Sequence, residues 1–216
     1  MPEISMIQKY ADYLEILNKK LDSYFEDQKE FIKCKAGCSL CCKSSYYPYS
    51  QLEYDYFRIG FNKNFNEKQR EEINKKALQI FKDRKIFLKT NSNVFDFHYE
   101  CPFLVNDSCG NYQHRGLLCR SHGLIYKDVD KPKHNAPHCM TLGYNYSDIY
   151  DPETKQFSEE KAVQLGFKAR PQVYELSYSS IMKDAGEDFE FGDVRMLFEW
   201  VVMDIPNYEE LIKSNP

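Results

Sequence analysis

Eight cysteines in two blocks dominate the chemistry open to this chain: Cys34, Cys38, Cys41 and Cys42 lie close together, and Cys101, Cys109, Cys119 and Cys139 follow in a second block. A lone cysteine is most often a small buried hydrophobe; eight in this arrangement read instead as thiolate ligands. Thiolates must converge on an ion from about 2.3 Å, so cysteines two or three residues apart in a turn suit that task. If the first block is helical, its four cysteines share one face; in a tight loop they surround a centre. Cys41 and Cys42 are sequence neighbours and are not expected to serve one metal together, so one faces a second site or stays a thiol. Three histidines lie near the cysteines: His98, His122 and His138. Each is a candidate ligand or a donor to a thiolate, the plainer reading being a half-exposed polar side chain. His114 and His134 carry a weaker signal. Arg115, Arg120 and His122 near Cys119 could hold an anionic substrate. Their simpler role is to neutralise a thiolate cluster or to bond loop carbonyls.

Sequence does not separate the metals. Cys38-x2-Cys41 suits a zinc knuckle, whereas Cys101-Pro102 echoes ferredoxin cysteine runs. Thiolates accept both, so the expected cofactor is zinc or iron, an iron–sulfur cluster included. Cys34-x3-Cys38-x2-Cys41 also spells the three-cysteine pattern of radical S-adenosylmethionine enzymes. Those place it after the first strand of a βα barrel; here a helical segment precedes it and no βα alternation follows, so the context rejects the match. There is no Gly-rich phosphate loop, His-Glu metalloprotease motif or serine nucleophile, and no catalytic residue is assigned.

The totals agree with a chelator more than with other classes. A chain of 216 residues with 15 Phe and 17 Tyr can bury a core without staples. The net charge of −4 lacks the basic footprint of a nucleic-acid binder. Lys19-Lys20, Lys75-Lys76 and Lys131/Lys133 are short and balanced by nearby acids, which marks solvated surface. No basic start with an apolar run marks a signal peptide, and no stretch spans a bilayer. The expectation is a soluble cytoplasmic protein with neither nucleic-acid nor membrane partner, where clustered cysteines mean metal rather than disulfides.

The elements that must position these residues are mainly α. Ile7, Tyr10, Leu14, Leu17, Leu21 and Tyr24 recur at helical spacing and predict a helix from Ile4 to Phe31. Ser50 with Glu53 forms a capping box that opens a short helix through Tyr54 and Phe57. Asn66 starts another reaching about Leu88, with Ile73, Ala77, Ile80 and Phe81 inward. From Thr90 to about Tyr150 periodicity disappears, a stretch that a bound metal could organise. Gln172 to Ile181 reads as a helix after Pro171, with a strand as the alternative. Asp193 caps a helix with Val194, Leu197, Phe198, Val201 and Val202 inward, stopped by Pro206, and a last short helix runs from Tyr208 to Ile212. The expected architecture is a helical domain with irregular cysteine-rich metal-binding loops, residues 1–150, and a helical extension, residues 151–216, packed on it.

Two stretches resemble the YkgJ-like CxxCxxCC cysteine-cluster family, described as chelating zinc or iron. One is Cys34 to Cys42 followed by Ser50-Gln-Leu-Glu53; the other runs from Cys101-Pro-Phe-Leu through Cys109, Tyr112, Arg115, Cys119-Arg120 and His122-Gly123, with Cys139 as the last cysteine. The resemblance covers about residues 30 to 143 and implies metal chelation by these cysteines on a mostly helical scaffold. This chain departs from the pattern twice. Three residues rather than two separate Cys34 from Cys38, which alters cluster geometry. The usual Arg-Pro is Arg115-Gly116, which loosens a turn. Related clusters accompany the flagellin lysine methylase, so protein modification enters by analogy alone. Two functions follow: a redox or catalysis-supporting metal site, or a structural zinc module serving protein–protein interaction. Tyr46, Tyr47 and Tyr49 would supply the latter with an exposed surface, or else cover the metal site.

Overall fold

The computed structural model describes residues 4–35, 37–44, 46–128, 131–151, 153–154, 156–167 and 171–213, with the side chains of residues 4 and 131–134 left aside. Among these the chain is mainly α, with nine α-helices and four sheets of two or three strands. It forms two compact units, each assembled from separate stretches: residues 1–7, 42–116 and 190–216 in one, and residues 8–41 and 117–189 in the other. No described helix is long and apolar enough to cross a membrane.

In the first unit, the helix Gln51–Asn64 begins where the sequence places it. Ser50 Oγ accepts from the Glu53 N–H at 3.2 Å and the Glu53 carboxylate accepts from the Ser50 N–H at 2.9 Å. Both residues are buried, so this capping box satisfies donors that water cannot reach. Asn66 and Gln69 repeat the device at the start of Glu67–Phe87. The helix expected from Asp193 begins instead at Leu197 and ends at Met203. Val194–Met196 is a strand paired antiparallel with Pro48–Ser50, and Val194 is exposed. Strand pairing overrides the helical pattern there. The capping carboxylate is Glu199, which accepts from the Met196 N–H at 2.8 Å and from Arg84 at 2.9 Å. Phe103 packs edge-on against Phe57, Phe61 and Phe65, and Trp200 stacks on Tyr54 while donating Nε1–H to the Tyr49 carbonyl.

In the second unit, Leu14, Leu17 and Leu21 line the buried face of the first helix. That helix, Ile4–Asp27, stops short of Phe31, and Lys29–Phe31 form a 3₁₀ turn. The reason is Gln28, fully buried, whose amide donates to the Gln172 carbonyl at 2.6 Å and accepts from the Tyr146 hydroxyl. Below it lies a core of Phe31, Ile125, Met140, Tyr146, Ile149 and Ala162. The stretch Gln172–Ile181 divides: Tyr174–Glu175 is a strand parallel to Tyr126–Asp128, and Tyr178–Ala185 is a helix capped by Ser177.

Gly116 does not loosen its turn. Its N–H, which a proline would lack, donates to the buried Tyr49 hydroxyl at 2.8 Å. A Cβ at this position would stand 2.6 Å from the Tyr49 ring, so only glycine admits that approach. Gly116→Pro should therefore destabilise the protein by about 1–3 kcal/mol despite restoring the usual residue. Ser50→Ala should cost about 1 kcal/mol. Urea unfolding measures both, and wild-type stability of Gly116→Pro would refute the role given to Tyr49.

Candidate metal centre

The eight cysteines divide between the units. Cys34, Cys38, Cys41, Cys119 and Cys139 belong to one, and Cys42, Cys101 and Cys109 to the other. The division falls between the neighbours Cys41 and Cys42, which sit on the short helix Leu40–Lys43. Successive helical side chains diverge by about 100°. None of the eight is in a disulfide.

Cys34 gathers its unit's thiols. It emerges from the turn after Phe31 and is hydrogen-bonded to Cys139 and to Cys38. The extra residue between Cys34 and Cys38 is taken up in a turn: the Cys38 N–H donates to the Lys35 carbonyl at 2.9 Å, with Gly37 at φ +87°. Cys139 is buried on the 3₁₀ segment His138–Leu142, and the charges of Cys41 and Cys38 act on it. The bond from the Cys139 thiol holds Cys34 down to about 6, against desolvation and with help from Asn145 and Cys38. The same bond, with burial, pushes the Cys139 thiol up. Cys34 is thus the thiolate of the pair and Cys139 its donor. The contacts are pairwise: among the described residues no group of three or more His, Cys, Asp or Glu side chains stands in a ligating arrangement. The donor chemistry nevertheless fits a soft or borderline metal, since Cys34 is hydrogen-bonded to two further sulfurs and its thiol is pushed down.

Asn145, which sequence reasoning passed over, braces this arrangement. Fully buried, its Oδ1 accepts from the N–H groups of Lys33 at 2.8 Å and Cys34 at 3.1 Å. Its Nδ2 donates to Cys34 Sγ at 3.2 Å and to the Gly123 carbonyl at 2.9 Å. An asparagine in a polar loop carries no sequence signal for such a role.

In the other unit, the Cys101 N–H donates to the Cys42 carbonyl at 2.7 Å. Cys109 lies on a hairpin, Leu104–Val105 with Ser108–Cys109, whose turn residues Asn106 and Asp107 both take positive φ. Lys43 pairs with Asp107 at 2.6 Å, and His98 Nδ1 meets Ser44 Oγ at 2.9 Å. Asn111 is this unit's counterpart of Asn145, fully buried and donating to the Phe57 carbonyl at 2.9 Å.

The other polar candidates separate. Arg120 is buried on the helix Leu117–Ser121 with Cys119 and donates to Asn18 at 2.9 Å, a structural bond. Arg115 lies over the Tyr112 ring at 3.8 Å. His122 has its Nε2 shut off from solvent, and burial pushes its imidazole down to about 4, with His138 a smaller cause. His138 is exposed, His114 lies beside Tyr56, and the side chain of His134 falls outside the described residues, as do those of Lys131 and Lys133. Tyr47 and Tyr49 are buried and Tyr46 packs on Phe95, so the three do not make an exposed surface.

No curated protein and no solved structure matches the chain. A family model does match, over residues 33–140, from just before the first cysteine to just after the last. By that match, which spans half of its length and includes every one of its cysteines, the chain belongs to the CxxCxxCC family, described as a "putative zinc- or iron-chelating domain".

Proposed function

We propose that this protein chelates zinc or iron through its cysteines, and that Cys34, Cys38, Cys41 and Cys139 form one ligand set. The observation that carries this reading is the hydrogen bonding of Cys34 to both Cys139 and Cys38, sulfurs that are far apart in sequence yet lie in one unit. Cys119, on the adjoining chain segment of the same unit, belongs to the same ligand pool. Cys42, Cys101 and Cys109 are the ligand candidates of the other unit, so two centres are the natural division. Four thiolates would complete a tetrahedral shell, which suits a structural or electron-carrying centre rather than an open catalytic one. A reducing compartment such as the cytoplasm is part of the proposal, because eight thiols persist as ligands only where disulfides do not form.

Anaerobic purification with metal analysis and a visible spectrum tests it. The expected result is stoichiometric zinc or iron, reduced in affinity by more than about tenfold in Cys34→Ser, Cys38→Ser and Cys139→Ser. Iron with acid-labile sulfide and a broad charge-transfer band identifies a cluster and favours a redox role. Colourless zinc protein identifies a structural module. Metal content that survives all three substitutions would remove the assignment.

A further inference from the structure

Asn145 lies beyond the residues that the family model matches, yet it makes four hydrogen bonds at the heart of the Cys34 site. Its two halves do different work. The acceptor, Oδ1, clamps the backbone at Lys33 and Cys34, which fixes where the Cys34 side chain starts. The donor, Nδ2, reaches the sulfur itself and is anchored on the far side by the Gly123 carbonyl. Asn145 is itself completely buried, although Cys34 is exposed, so the amide reaches the sulfur from the protein side. An amide donor on a thiolate draws charge from the sulfur without adding a positive charge. That is the means by which outer groups tune the donor strength of a metal-bound cysteine.

We infer that Asn145 is the positioning residue for Cys34 as a metal ligand, orienting its sulfur through Oδ1 and moderating its donor strength through the Nδ2–H···Sγ bond. The inference rests on the chelation reading above. It adds a residue that acts through Cys34 and does not itself bind the metal.

Asn145→Asp separates the two halves, because a carboxylate keeps the acceptor for Lys33 and Cys34 but cannot donate to sulfur. Metal-free wild type and variant are titrated with Co²⁺ under anaerobic conditions, following the thiolate-to-cobalt charge-transfer band and the visible ligand-field bands. The expected outcome is a charge-transfer band shifted in energy and a Co²⁺ affinity lowered by about tenfold, within the range for lost outer-shell partners. In the Cys34→Ser background the further effect of Asn145→Asp should vanish, since the residue acts through that sulfur. Should Asn145→Asp fail to fold, Asn145→Ser, which keeps a small acceptor, carries the same readouts. Wild-type cobalt spectra and affinity in these variants would overturn the role of Asn145 and leave chelation intact. Failure of the wild type to bind Co²⁺ would overturn chelation, and this role with it.

Discussion

A buried backbone outside helix and sheet must still satisfy every N–H and C=O, and much of this structure follows from how residues 90–150 meet that demand. Helices pair their own groups; loops cannot. Each unit answers with one buried asparagine. Asn111 ties its loop to the Phe57 carbonyl and accepts from Asn64 at 3.2 Å. Asn145 joins the Lys33–Cys34 backbone to the Gly123 carbonyl. A carboxamide suits the task because it carries donor and acceptor on one short rigid group, without the desolvation cost of a charge. Tyr146 extends the scheme, its hydroxyl accepting from the Ile125 N–H and donating to Gln28. Around Cys34 it is neutral polar side chains that hold the backbone in place.

How much of this the sequence discloses depends on whether the signal is local. The capping boxes at Ser50 and Asn66 are legible because cap and partner lie three residues apart. The first helix is legible from its leucine spacing, and the cysteine blocks from composition alone. The strand Val194–Met196 is not, because its partner Pro48–Ser50 is distant in sequence and the helical pattern of Leu197 to Val202 runs into it. Gly116 reads as a lapse from the family pattern until Tyr49 is seen to take its N–H. The meeting of Cys34 with Cys139 and the part played by Asn145 are long-range in the same sense, and no window of sequence contains both partners.

Charge around Cys34 is arranged differently from what the nearby arginines suggest. Hydrogen bonds with Cys139, Asn145 and Cys38 lower Cys34, while Arg120 is engaged with Asn18 and Lys33 with Asp148 at 2.8 Å. The hydrogen bond to Cys34 and burial push the Cys139 thiol up, with the charge of neighbouring cysteines a smaller cause. On the proposed chelation reading, a metal ion's positive charge would favour further thiolates and release their protons. Permanent positive charges at this position would have stabilised several thiolates at once and left less for the metal to gain.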